Sequence, residues 1–82
     1  MILSPTKHSS LRYSVINVSA TIIAILKENG IIEYNALLDA LKNKIGKEVG
    51  EVFLLSLTFL YILRRIDYID DLDSIRLLNE VV

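Results

Sequence analysis

The sequence contains no cysteine, and this absence excludes several kinds of chemistry at once. Without cysteine the chain has no disulfide, no thiolate ligand for zinc and no cysteine nucleophile. A chain without disulfides also fits the cytoplasm, where thiols stay reduced. We therefore expect a cytoplasmic protein held together by its hydrophobic core, for which 82 residues allow one small domain.

The residues that bind metals and phosphates are also too few or wrongly spaced. His8 is the only histidine, and no other ligand stands at metal-binding spacing from it. Asp70, Asp71 and Asp73 lack the D-x-D-x-D-G pattern and the distal glutamate of a calcium loop, which makes a solvated turn the better interpretation. Residues 46–50 (GKEVG) do not match a phosphate-binding loop. The sequence predicts no metal and no cofactor.

No catalytic signature is visible either. Ser9, Ser10 and Ser14 lie near His8 in the sequence, but no glycine-rich elbow, oxyanion loop or orienting acid accompanies them. Helix caps and turns explain these serines better. We expect a protein that is not an enzyme and has no small-molecule substrate.

Long apolar runs and an excess of one charge are missing too. No apolar run approaches the ~18–20 residues of a membrane span, and the first residues do not resemble a signal peptide. The net charge is −1, from nine lysines and arginines against ten aspartates and glutamates. Such a balance lacks the basic excess of a nucleic-acid-binding domain. The short apolar runs predict no membrane partner.

What the sequence does contain is a long apolar segment, Val49–Ile66, which is too long for an ordinary strand and predicts a central helix. Apolar residues occupy most of its circumference, so other parts of the protein must cover most of its sides. One stripe has 3, 4, 3, 4 spacing (Val52, Leu55, Phe59, Ile62, Ile66), and a second lies beside it (Phe53, Leu57, Leu60). The residues expected to be almost fully buried are Leu41, Val52, Phe59 and Ile62.

Two further helices are predicted before this segment. Ser14 is a plausible N-cap for a helix over Val15–Glu28, and Asn29 with Gly30 provides its stop. A short strand over Ile31–Tyr34 follows. The buried stripe expected on this helix is Val15, Val18, Ile22, Ile25 and Leu26.

The second helix is expected to run from about Ala36 to Ile45, with Asn35 as N-cap and Gly46 as terminator. Lys47 and Glu48 then leave only a very short turn before the central helix, which is a helix-turn-helix layout. Its apolar face is Leu37, Leu38, Leu41 and Ile45.

After Arg65 the apolar period changes from 3.6 to 2, which predicts a hairpin. Ile66–Tyr68 forms its first strand, Asp70–Ser74 its turn and Ser74–Leu78 its return strand, and Ile31–Tyr34 can pair with it. The predicted fold is α+β and mostly helical, a winged helix-turn-helix domain of three helices and a C-terminal β-hairpin. We expect an N-terminal arm over residues 1–13 and one winged-helix domain over 14–82. The alternative is a plain three-helix bundle.

Three segments resemble a known bacterial family: SPTKHSSLRYSVINVSA (4–20), GIIEYNALLDALKNKIG (30–46) and VFLLSLTFLYILRRIDYIDDLDSIRLL (52–78). The family is the small middle component of ABC-three component systems, of the middle component 6 type. The resemblance implies partners from the same operon, an SMC- or Rad50-like ABC ATPase and a third, larger component. It also implies a role in defence against phage or plasmids, and it transfers no catalytic residue.

Two surfaces are expected to bind protein partners. The central helix has a third apolar side, and large exposed apolar patches usually mark interaction sites. The arm has apolar anchors and cations but no helical period. The predicted partner-binding residues are Ile2, Leu3, Lys7 and His8 in the arm and Leu54, Thr58 and Tyr61 on the helix.

The alternative function is a small transcriptional regulator that dimerises through the central helix and reads DNA. Cations available for phosphates are Lys7, Arg12, Arg64 and Arg65, although cations also suit a helix C-terminus. The aspartates of the predicted wing would repel phosphates. We therefore expect an adaptor subunit that meets DNA only through its complex, with a homodimer as an alternative resting form.

Overall fold

The computed structural model describes residues 13–78, which form three helices and a three-stranded antiparallel sheet. The chain order is helix, strand, helix, helix and hairpin, as predicted for an α+β winged helix-turn-helix domain. The helices are α1 (Val15–Asn29), α2 (Tyr34–Lys44) and α3 (Gly50–Ile62). The strands are β1 (Ile31–Glu33), β2 (Ile66–Ile69) and β3 (Ser74–Leu77).

The sheet joins the short strand to the wing hairpin. Its order is β1-β3-β2, and β3 pairs antiparallel with both neighbours. Ile75 lies opposite Ile32 on one side and Tyr68 on the other. The predicted pairing of the segment after α1 with the hairpin is therefore confirmed, which excludes the plain three-helix bundle.

Helix α1 begins and ends as the sequence predicts. The Ser14 hydroxyl accepts a hydrogen bond from the Asn17 backbone N–H at 3.0 Å, and Gly30 follows the helix with a φ of 79°. Val15 is only half-buried, although it was expected in the buried stripe. The core residues of α1 are Val18, Ile22, Ile25 and Leu26.

The predicted cap of α2 is wrong. The helix starts at Tyr34, one residue before Asn35, and Glu33 precedes it without a side-chain capping bond. The Tyr34 backbone N–H donates instead to the Asp73 carbonyl of the wing turn, at 2.9 Å. A tertiary hydrogen bond thus satisfies the Tyr34 N–H, which a local capping side chain would otherwise accept.

The connection between α2 and α3 depends on Gly46. It has a φ of 149°, which L side chains rarely adopt, and a Cβ there would collide with the Tyr13 hydroxyl. A single 3-10 turn, Lys47–Val49, then leads into α3. The short turn predicted from Lys47 and Glu48 is therefore confirmed.

Helix α3 ends earlier than predicted, at Ile62 rather than near Ile66. Arg64 has a left-handed φ of 62°, and the Arg65 N–H donates to the Leu60 carbonyl at 2.9 Å. This left-handed residue reverses the chain direction, so Ile66 is already the first residue of β2.

The predicted core face of α3 is also wrong. Leu41 is fully buried as expected, but Val52 is only half-buried, Phe59 is 40% exposed and Ile62 is 70% exposed. Because α3 is apolar on nearly all sides, its periodicity does not select the face that α1, α2 and the sheet cover. The buried residues of α3 are Phe53, Ser56, Leu57 and Leu60.

Candidate protein-interaction surface on α3

Mostly large, apolar side chains cover the side of α3 that points away from the core. They form two stripes, each at i, i+4, i+7 spacing. The groove stripe consists of Leu54, Thr58 and Tyr61, and the outer stripe consists of Leu55, Phe59 and Ile62. All six residues are exposed. Glu51 is the only charged residue of α3, so the helix presents an almost uncharged surface.

The groove stripe borders an apolar groove of about 240 Å³ between α3 and the hairpin. The opposite wall is Ile66 and Tyr68 of β2, while buried Leu57 and Ile75 line it from the core. We call this feature the hairpin groove. Its depth comes from the fold, because the turn after α3 brings β2 back alongside the helix.

Thr58 is a polar residue, but it adds little polarity to the groove. Its hydroxyl donates to the Leu54 carbonyl of the preceding turn, at 2.9 Å. The polar atom is thereby paired within the helix, and this leaves the methyl group for contact with a partner. A ligand with an apolar surface fits this wall better than one that needs hydrogen bonds.

The far wall carries one strongly perturbed group. The Tyr68 hydroxyl donates a hydrogen bond to the Asp73 carboxylate in the wing turn. This hydrogen bond, together with desolvation and the negative charges of Asp73 and Asp70, raises the pKa of Tyr68 to about 12. The ring is therefore held in its neutral form, with its hydroxyl turned toward the wing tip.

The charges on the strands of the hairpin are paired with each other. Asp67 and Arg76 are cross-strand neighbours, and their side chains form an ion pair at 3.3 Å. Both are substantially exposed, so the pair contributes at most about 1 kcal/mol to stability. Its consequence is electrostatic, because Arg76 already neutralises the carboxylate beside the groove.

The structure places the predicted helix residues together and leaves the predicted arm untested. Leu54, Thr58 and Tyr61 lie side by side on the hairpin groove. Arg64 and Arg65 are exposed in the turn after α3. The remaining predicted contacts, Ile2, Leu3, Lys7, His8 and Arg12, lie outside the described residues.

Sequence reasoning missed the outer stripe as a surface and Tyr68 as part of the groove. One signal for the outer stripe was present. Glu51 must face solvent, and residues four and eleven positions later, Leu55 and Ile62, share its side of the helix. The role of Tyr68 has no local signal, because it depends on how the hairpin folds back against α3.

Other kinds of site receive no support from the described part of the chain. Within residues 13–78, no three histidines, cysteines, aspartates or glutamates are grouped so that they could hold a metal ion. Over the same residues, none of the helices has the length and apolarity needed to cross a membrane.

Fold and surface together define a small winged-helix protein whose most prominent surface feature is the exposed apolar face of α3. The model of the family described as ABC-three component (ABC-3C) system Middle Component 8 matches residues 30–78, more than half of the chain. The chain belongs to this family. The predicted system is confirmed, but the component type is 8 rather than 6. No curated protein and no solved structure matches the chain.

Membership in a system of several components implies that this chain has protein partners. The matched segment begins at Gly30 and ends at Leu78, so it contains α2, α3 and the whole sheet. It therefore includes every residue that lines the hairpin groove.

Proposed function

We propose that this middle component is a non-enzymatic adaptor that binds another subunit of its system through the hairpin groove. The observation that carries the proposal is the apolar lining of this groove, which lies on the helix that most winged-helix proteins use for recognition. Tyr61 suits such an interface, because its ring packs against a partner while its hydroxyl remains hydrated.

The proposed partners are an SMC- or Rad50-like ABC ATPase and a third, larger component encoded in the same operon. Support comes from membership in the family of middle components. In this proposal the ATPase hydrolyses ATP, and this chain contributes the rigid apolar surface of the hairpin groove. The assembled complex acts in defence against phage or plasmids and reaches DNA through its other subunits.

The winged-helix fold itself favours a second function, a dimeric transcriptional regulator that reads DNA. Winged helices insert polar and basic side chains of the recognition helix into the major groove. On α3 the exposed polar residues are Glu51 and Thr58, and the cations Arg64 and Arg65 come only after its end. These side chains can form few hydrogen bonds to the edges of bases. The adaptor is therefore the better-supported function.

The adaptor is tested by co-purification with the products of the neighbouring genes. Leu54→Asp combined with Tyr61→Asp places two carboxylates in the hairpin groove and should abolish co-purification, since a charge cannot be buried there unpaired. The matched control is Ile16→Asp, which changes an exposed isoleucine on α1 and should retain the partners. Circular dichroism checks that all variants remain folded.

A second variant tests the arm. Deletion of residues 1–8 removes Ile2, Leu3, Lys7 and His8 and should weaken co-purification. If the groove variant and the deletion both retain the partners at wild-type yield, the adaptor surfaces are not those proposed.

A further inference from the structure

The outer stripe has the spacing of a helix-pairing seam, although this chain leaves it uncovered. Half-buried Val52 precedes Leu55, Phe59 and Ile62 at intervals of 3, 4 and 3 residues. Helices that pack along their length use this spacing, with one side chain entering the gap between those opposite. The described core covers the other side of α3 instead, through Phe53, Leu57 and Leu60.

The charges at the two ends of this seam have opposite signs. Glu51 lies in the first turn of α3, on the side of the outer stripe, and Arg64 and Arg65 follow the last turn. All three are exposed, and none forms an ion pair with another residue in the range 13–78. A second helix with the same sequence in the opposite direction would place each acid near the other helix's arginines.

We propose that the outer stripe binds the outer stripe of a second copy of this chain, in an antiparallel α3 pair around a two-fold axis. A two-fold interface requires a surface that is complementary to itself. Taking the midpoint between Thr58 and Phe59, Leu55 lies opposite Ile62 of the partner subunit. The apolar side chains of the two stripes then cover each other.

The spacing of the charges agrees with this register. At 1.5 Å per residue, Glu51 lies about 11 Å before the midpoint, and α3 ends at Ile62 about 5 Å after it, just before the turn with Arg64 and Arg65. Antiparallel packing therefore brings Glu51 just beyond the end of the other copy's α3, near the turn with Arg64 of the partner subunit and Arg65 of the partner subunit. A net charge of −1 per chain adds little repulsion between the copies.

This dimer uses a different stripe of α3 from the adaptor site and does not depend on it. The groove stripe, Leu54, Thr58 and Tyr61, stays open toward the hairpin when the outer stripe is covered. The dimer would therefore present two hairpin grooves, one on each copy.

The test is sedimentation equilibrium of the full-length chain by itself over a range of concentrations. The wild type should show a monomer–dimer equilibrium, and Ile62→Asp should weaken association by at least ~10-fold because it places a carboxylate in the seam. Leu54→Asp is the matched control, an exposed leucine of α3 outside the outer stripe, and should dimerise like the wild type. Circular dichroism verifies that both variants fold.

Charge reversal tests the antiparallel register. Glu51→Arg and Arg65→Glu should each weaken dimerisation, and the double variant should restore most of it, because the reversed charges again face opposite signs. A wild type that remains monomeric at all concentrations, a dimer that only Leu54→Asp disrupts, or a double variant weaker than both single variants would each overturn the proposal. The adaptor site is measured separately, by co-purification with other subunits.

Discussion

At the scale of single residues, Asp73 connects the wing turn to the rest of the domain through one side-chain hydrogen bond and one backbone hydrogen bond. Asp73 has a left-handed φ of 48° and accepts the Tyr68 hydroxyl, while its carbonyl accepts the Tyr34 N–H. The same residue therefore ties the wing both to the groove wall and to the start of α2.

The pH dependence of Tyr68 follows from this hydrogen bond. The fold raises its pKa from 10.0 to about 12, so the stabilisation from the neutral phenol is complete below pH 10.0 and is lost as the pH rises to about 12. Asp73→Asn should lower the pKa of Tyr68 toward its ordinary value, because it removes the negative charge beside the hydroxyl. NMR titration of the Tyr68 ring measures this change.

The control for this titration is Asp71→Asn in the same turn, since the carboxylates that raise the pKa of Tyr68 are those of Asp73 and Asp70. Its Tyr68 ring should titrate as in the wild type. A Tyr68 pKa that is the same in Asp73→Asn as in the wild type would contradict the role given to the hydrogen bond.

At the scale of elements, the buried side and the exposed side of α3 are both rich in large apolar residues. Phe53 is 2% exposed, and its ring meets that of Tyr34 edge to face, with centroids 5.2 Å apart. Phe59 has the same side chain and lies in the outer stripe. The two phenylalanines therefore provide an internal comparison between core and surface.

We expect Phe53→Ala to reduce the free energy of unfolding by about 3–5 kcal/mol, because it leaves a cavity in the core and loses the ring contact. Phe59→Ala should cost about 1 kcal/mol, since its ring is already partly hydrated. Urea unfolding at low protein concentration, where self-association is minimal, measures both losses. Equal losses for the two variants would contradict the burial of α3 described above.

At the scale of the whole molecule, the distribution of charge leads us to expect weak binding of DNA. The net charge is −1, and the wing tip has Asp70, Asp71 and Asp73, where other winged helices approach phosphates. Arg76 is already paired with Asp67.

The chain alone should therefore bind duplex DNA weakly or not at all at physiological salt. Proteins that neutralise several phosphates lose affinity steeply as salt rises, because they release counterions on binding. Fluorescence anisotropy with a labelled duplex of mixed sequence, repeated at several salt concentrations, measures this. Sub-micromolar affinity with a steep salt dependence would favour the regulator instead.

Local signals in the sequence were sufficient to predict the element order and most boundaries. The Ser14 cap and the Gly30 stop bound α1, Gly46 ends the second helix, and the change of period after Arg65 marks the hairpin. Each depends on backbone geometry or on hydrogen bonds within a few residues, so the surrounding structure changes it little. The start of α2 was mispredicted because its first N–H is satisfied from the distant wing turn.

The sequence by itself therefore determined the winged-helix order, the near-neutral charge and the apolar excess of α3. Only the tertiary structure decided which side of α3 is buried. A helix that is apolar all round has no preferred face of its own. The neighbouring elements bury Phe53 and Leu57 and leave Phe59 and Ile62 exposed. The hairpin groove likewise exists only because the turn at Arg64 returns the chain beside α3. Both the buried face of α3 and the hairpin groove result from packing between segments that are distant in the sequence. The local periodicity of the sequence therefore does not predict them.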